Sequence, residues 1–503
     1  MDGIERAEAA VAGYVNVRMT PRALLAGLKD TRTACTAAVK RREPPVIVDY
    51  SGPNIAKPLG IHHMLSNVIG QAIVNVYRHL GANVIGWSYP GDWGTQFGKL
   101  YVAYGRWGAA KPIAGFTVQD LYELYVRFHA ESEKDPSLDP EARAAFARLE
   151  AGDPDLRAFW RETVRISRDA LERLYERTHI HLDEETGESF YEDKMQPILS
   201  EGIERGVFVE GEGGALIAKF PEESGLPPSL FRKGDGSTLY ATRDLAMIRY
   251  RIDAFHPCAV YYVVDMAQSL HFRQLFAVSA RLGWDLPELE HTVFGRMRFK
   301  DKSMSTRKGT MLKLEDVLDE AVARALDVIR AHGDSIQTDD APGLAEMMGV
   351  GAVTYGILSQ NRKMDMVFDW EKFLSFDGNS APYLQYTHAR ARSVLRKAGV
   401  QNVQGDGDLP DNAGVFPAKE RSLISSLLEF RRVLEEACAA RMPHVLVNYL
   451  FRLCQDFNAF YNDEPILSAP EPVRGIRIAL TDLTASVLKT GAELLTIRVP
   501  DRM

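Results

Sequence analysis

Four stretches of this 503-residue chain gather side chains that can do chemistry: 51–63, 91–98, 265–271 and 300–309. They read SGPNIAKPLGIHH, GDWGTQFG, DMAQSLH and KDKSMSTRKG. Each follows a short apolar run that reads as a strand. In open α/β sheets, ligands bind beyond the carboxyl ends of strands, where helix N-termini and loop amides collect. The four stretches therefore mark one ligand site. A metal centre is not expected there, because the adjacent His62 and His63 point apart and no third ligand is near in sequence. Cys35, Cys258, Cys438 and Cys454 stand singly. They fit neither zinc spacing nor a disulfide framework, and read as structural thiols of a chain in a reducing cytoplasm.

The elements that must position these stretches are legible in part. Val46-Ile47-Val48 is a short buried strand. A helix follows, with Leu65, Val68, Ile69, Ala72, Ile73, Val76 and Leu80 on one stripe. Gly81 closes it, and Val84-Ile85 opens a second strand. Strand, helix and strand over about forty residues predict a βαβ unit and a parallel sheet. Residues 117–205 read as mostly helical and strongly charged, an insertion between two halves of the sheet. The strand pattern returns at 259–264, followed by a helix with Leu270, Leu275, Phe276 and Leu282, then a strand near 292–294. From 343 onward helices alone are expected, ending with one over 478–497, and 399–416 reads as a loop. The first forty-odd residues mix helical stretches with a basic tail and are short of a domain.

Bulk properties set the outer bounds. The chain is long enough for two to four domains. Its apolar share of 46% and charged share of 25% are those of an ordinary soluble protein. A net charge of −8 argues against whole-surface attraction to nucleic acid, though not against a local basic groove. No run of about 18 apolar residues predicts a membrane span, and no secretion signal opens the chain.

From Val46 to Met503 the sequence resembles the arginyl-tRNA synthetases. The resemblance rests on DYSGPNIAKP (49–58), GDWGTQFG (91–98), GESFYEDKM (187–195), DGSTLYATRDLA (235–246), MSTRKG (304–309), the run 358–386 and the terminal VPDRM (499–503). It implies an α/β fold: a Rossmann-type parallel-sheet catalytic domain over 44–342 with a mostly helical connective insertion over about 117–232. An all-α stem-contact and anticodon-binding domain over 343–503 follows, and 1–43 is a shortened N-terminal remnant. It implies a class I ligase that uses ATP with Mg as co-substrate, has no tightly bound cofactor, and makes arginyl-adenylate before passing L-arginine to tRNA-Arg. A monomer is expected.

The resemblance also assigns residues. Asp49, Asn54, Tyr240, Asp244 and Gln268 match the positions that hold arginine. Carboxylates with amide and phenol oxygens suit a planar five-donor guanidinium and an α-ammonium. Any one alone would read as a cap or turn residue. The HIGH signature aligns with Gly60-Ile61-His62-His63. His63 keeps its second histidine, Gly60 replaces the first, and His62 stands where adenine needs a small residue. Losing one donor to the α-phosphate costs roughly 3 kcal/mol, unless His62 supplies it. The KMSKS signature aligns with 303–309. Lys302, Met304, Ser305, Arg307 and Lys308 belong to the ATP-binding and catalytic set, with Lys57 as the upstream compensating lysine. Tyr383, Tyr386, Phe457, Phe460 and Tyr461 are candidates for stacking on RNA bases, although such spacing more often marks a core. Two departures, the altered HIGH tetrad and the short N-terminal region, leave a second reading open: a paralogue that passes arginine to a small-molecule amine. A third is a non-catalytic arginine- or RNA-binding protein.

Overall fold

The computed structural model describes residues 3–10, 13–39, 41, 43–300, 312–333, 336–376, 378–400 and 416–503. Its centre is a five-stranded sheet in the order Glu288–His291, Ala259–Tyr262, Val46–Asp49, Val84–Ser88, Glu184–Glu185. Every pairing in it is parallel. Val46–Asp49 lies in the middle and is buried throughout. An unbroken Val-Ile-Val run is what such a strand requires, since helices cover both faces. Val46 and Val48 enter one apolar cluster and Ile47 the other, as the two-residue period of a strand dictates.

The expected βαβ unit is present. Helix Ile61–His79 buries Leu65, Val68, Ile69, Ala72, Ile73 and Val76. Gly81 at φ +87 turns the chain out of the helix toward Val84–Ser88. A long excursion then builds four helices, Thr95–Ala103, Val118–Ser132, Leu138–Glu150 and Pro154–Thr178. Asp153 caps the last of these, with Pro154 at its first position. The chain returns to the main sheet at Glu184–Glu185, then forms an antiparallel sheet from Phe208–Glu210, Leu216–Ala218 and Ser229–Arg232.

Three local expectations need correction. The N-terminal region is not purely helical: Ile4–Ala9 and Val15–Met19 pair antiparallel before helix Pro21–Ala34. That helix is tied to the C-terminal helices by Arg32 on Asp482 at 2.9 Å and Thr31 Oγ1 on the Leu427 carbonyl at 3.1 Å. The strand expected near 292–294 runs earlier, over Glu288–His291. It is an edge strand with half-exposed acids, so it lacks the apolar run that marks a central one. The region after 343 is not helices alone, because Met366–Phe368 pairs in parallel with Met297–Phe299.

The remaining C-terminal elements are helices, including Ala381–Lys397, Pro443–Asp463 and Val473–Leu494. The final residues bind back onto the first of these. Gln385 Nε2 donates to the Arg498 carbonyl at 2.9 Å, and Arg396 Nη1 to that of Asp501 at 2.7 Å. His388 Nδ1 lies 2.9 Å from the Pro500 carbonyl. Phe457 and Phe460 are core residues at 0% exposure. Tyr386 and Tyr461 instead flank the Arg390 guanidinium at 4.8 and 5.0 Å. Among the described residues no helix is long and apolar enough to cross a membrane.

Candidate active site

The carboxyl ends of the parallel strands open onto a cavity of about 550 Å³. Val46–Asp49 delivers Asp49 to its wall, and the chain then leaves the sheet through Ser51 at φ +65. A non-glycine residue holds that left-handed conformation only where the surroundings impose it. Here the Ser51 N–H donates to Ser66 Oγ at 3.3 Å, and Ser66 Oγ donates to the Val263 carbonyl at 2.7 Å. Two strand ends and helix Ile61–His79 are thereby locked together. Asn54 bridges to Gly91. A Cβ at Gly91 would stand 2.9 Å from Asn54 Oδ1, which accounts for glycine at the start of GDWGTQFG.

All five residues assigned to arginine line this one cavity: Asp49, Asn54, Tyr240, Asp244 and Gln268. They arrive from three separate segments. Tyr240 and Asp244 share a face of helix Tyr240–Phe255, and Gln268 precedes helix Ser269–Arg281. His62 and His63 line the same cavity, so the HIGH-like tetrad and the acid-lined pocket are continuous.

The carboxylates are held by internal partners. Asp244 Oδ2 lies 2.7 Å from His271 Nε2. Burial alone would lower the His271 ring, but the hydrogen bond and charge of Asp244 hold it above its ordinary value. Asp49 Oδ2 lies 2.6 Å from Nη2 of the fully buried Arg251. Burial pushes the Asp49 carboxyl up, and Arg251 opposes it. Glu188, a third acid on the cavity wall, pairs with Arg243 at 3.2 Å. Burial pushes Glu188 up to about 7, against Arg243 and with help from Asp244. Asp92 accepts from Ser189 N at 2.8 Å and Ser189 Oγ at 2.7 Å, fastening GDWGTQFG to GESFYEDKM.

The sequence reading does not single out Glu188 and His271 on the cavity wall, or Arg243 and Arg251, which pair with its acids. Two signals were available. Gln268 and His271 are three apart, the spacing of helical neighbours. Tyr240, Asp244 and Arg251 fall at i, i+4 and i+11, one helix face.

At the HIGH position, Gly60 caps helix Ile61–His79, and its backbone N lies 3.1 Å from His63 Nδ1. The His62 and His63 rings pack 4.0 Å apart. Burial pulls His63 down to about 4, with His62 adding to the effect, so its imidazole is neutral at neutral pH. His62 is lowered by burial as well. Lys57 does not reach the main cavity. It lines an adjoining one of about 210 Å³ that shares Asn54, with Nζ 4.3 Å from the Tyr125 ring centre. Lys302, Met304, Ser305, Arg307 and Lys308 lie outside the described residues. The next described residues return to the HIGH position: Ile61 N donates to the Leu312 carbonyl at 3.1 Å, and Gly60 bridges to Lys313. Among the described residues no group of three or more His, Cys, Asp or Glu gathers as a metal site.

Residues 26–370 match the family model for the catalytic domain of class I (R) tRNA synthetases. Residues 384–503 match the DALR anticodon binding domain. The arginine--tRNA ligase of Fusobacterium nucleatum is 37% identical, with 100% of this chain and 88% of that protein aligned. That of Chloroflexus aurantiacus is 36% identical, covering 98% and 86%. In fold, the arginyl-tRNA synthetase of Plasmodium falciparum superposes with a TM-score of 0.80 at 23% identity, covering 99% and 86% of the two chains. The Thermus thermophilus enzyme gives 0.78 at 24%, covering 100% and 89%. With relatives aligned over the whole of this chain on one side and an acid-lined pocket beside a class I motif on the other, this chain belongs to the arginyl-tRNA synthetase family.

Proposed function

We propose that the chain is an arginine--tRNA ligase: it activates L-arginine with ATP and transfers the arginyl group to the 3′ end of tRNA-Arg. One observation carries this reading above the rest. Four acids (Asp49, Glu188, Asp244 and Asp265), the amides of Asn54 and Gln268, and the Tyr240 phenol line a single cavity together with His63. Such a set matches a ligand with two cationic ends.

Asp49, at the end of its strand, and Asn54, Tyr240, Asp244, Gln268 and Glu188 together serve the two cationic ends of the substrate, its α-ammonium and its guanidinium. The arginine carboxylate attacks the α-phosphate of ATP, forming the acyl-phosphate bond as pyrophosphate leaves. His63 and His62, at the positive end of helix Ile61–His79, face the charge that develops there. By the family resemblance Lys302, Arg307 and Lys308 serve the departing pyrophosphate, Lys57 contributes from the adjoining cavity, and Gly60, Met304 and Ser305 serve the nucleotide. The terminal ribose hydroxyl of tRNA then attacks the acyl carbon and AMP leaves. Mg accompanies ATP as a counter-ion of its phosphates, the usual manner for this ion.

The division into 44–342 and 343–503, with an insertion over about 117–232, belongs to the same proposal. So do a cytoplasmic location and a monomeric state. The DALR match over 384–503 favours tRNA over a small amine as acceptor. Charging of tRNA-Arg with labelled arginine is the test. Arginine-dependent, ATP-dependent label on the tRNA is expected, and label transferred only to small amines would overturn the assignment of the acceptor.

A further inference from the structure

Arg251 is a charged side chain with no exposure to solvent. It projects from helix Tyr240–Phe255, the helix that also supplies Tyr240 and Asp244 to the cavity. Its Nη2 lies 2.6 Å from Asp49 Oδ2, and that oxygen is buried. Its guanidinium carbon sits 4.7 Å from the Trp87 ring centre and 5.6 Å from that of Tyr262. Among the described residues Asp49 is the one carboxylate within ion-pair distance, and neither its Oδ2 nor Arg251 Nε, Nη1 or Nη2 makes a hydrogen bond of good geometry. Burying a guanidinium with so few partners is costly, and a well-packed apolar residue would fill the space more cheaply. A purely structural role therefore explains the shape of the site but not its charge.

Asp49 explains the charge. It is 6% exposed and forms part of the cavity wall, so its carboxylate meets both Arg251 behind and the ligand in front. We propose that Arg251 is a positioning residue for substrate binding: it holds the Asp49 carboxylate in one orientation against the cationic amino-acid substrate. The inference rests on the arginine-binding reading of the cavity. Four groups face Asp49 or its partner from the packed elements: Arg251 and Asp244 on helix Tyr240–Phe255, Tyr262 on the neighbouring strand, and Tyr191 on the turn Glu188–Lys194. Of these, Arg251 alone is cationic. Without it, burial and the Asp244 charge both favour the protonated acid. A planar guanidinium suits the position, because it stacks on Trp87 while keeping one edge toward Asp49.

The test is arginine-dependent ATP–pyrophosphate exchange with tRNA-Arg present, read as separate KM and kcat values from about pH 6 to about pH 8. Arg251→Met should raise the arginine KM about thirtyfold at neutral pH, while leaving the ATP KM nearly unchanged. The increase should grow as pH falls, because the variant lacks the Arg251 charge that opposes protonation of Asp49. Arg251→Lys should recover part of the loss and flatten the pH dependence. Should Arg251→Met fail to fold, the lysine variant carries the same comparison. Asp49→Asn with Arg251→Met should be no worse for the arginine KM than Asp49→Asn alone, since one acts through the other. An unchanged arginine KM, or fully additive effects, would overturn the inference while leaving arginine activation in place. No exchange by the parent protein would overturn both.

Discussion

Nε2 of His271 lies 2.7 Å from Oδ2 of Asp244, joining helix Tyr240–Phe255 to helix Ser269–Arg281 at the cavity wall. The pair does two jobs. It holds the Asp244 carboxylate in one orientation, and it leaves the other oxygen for a donor from the ligand. Asp244→Ala removes both the acceptor for the substrate and the partner of His271. Arginine binding should fall by about a hundredfold or more, measured by calorimetry or by arginine KM in exchange. Burial then acts on His271 without opposition, so its ring should titrate below its value in the parent protein, followed by NMR.

Glu188 gives the site a pH dependence of known sign. Its carboxyl is pushed up to about 7 by burial, so it is largely neutral in mild acid and gains its charge as pH rises through that value. A pocket for a cation improves as that charge appears. The arginine KM should fall by up to about tenfold between about pH 6 and about pH 8. Glu188→Gln should remove this step and keep KM at the low-pH value throughout.

At Gly91 the chain has room for hydrogen only, because a Cβ would come within 2.9 Å of Asn54 Oδ1. Gly91→Ala should displace Asn54 and raise the arginine KM several-fold, with a smaller change in the melting temperature. Steady-state exchange and a thermal melt separate the two effects.

His62 lines the cavity and packs on His63 at the first turn of the helix. If it supplies the donor that Gly60 cannot, His62→Gly should lower kcat for exchange by about a hundredfold with little change in arginine KM. A faster variant would instead show that the ring only obstructs the nucleotide.

Much of this site was legible before the fold. The Val-Ile-Val run gave the central strand, the stripe from Leu65 to Val76 gave its helix, and Asp49, Asn54, Tyr240, Asp244 and Gln268 do share one cavity. What escaped had physical reasons. The hairpin Ile4–Ala9 and Val15–Met19 alternates, but charged residues stand among short apolar ones and blur the period. Met366–Phe368 is three residues long, too short to stand out in a helical region. Arg251 looks like a surface cation until Trp87 and Asp49 are placed around it. Glu188 lies within GESFYEDKM among other acids, and only burial distinguishes it. Phe457 and Phe460 had the spacing of either a core or a base-stacking face, and packing decides for the core.

The most direct measurement compares L-arginine with citrulline in ATP–pyrophosphate exchange, with tRNA-Arg present. Citrulline has nearly the same shape but replaces the charged guanidinium by a neutral urea, which would set a carbonyl oxygen against Asp244 and Glu188. Discrimination of at least about a thousandfold in kcat/KM in favour of arginine is the expected result. Comparable rates for the two amino acids, or exchange supported by neither, would contradict the account.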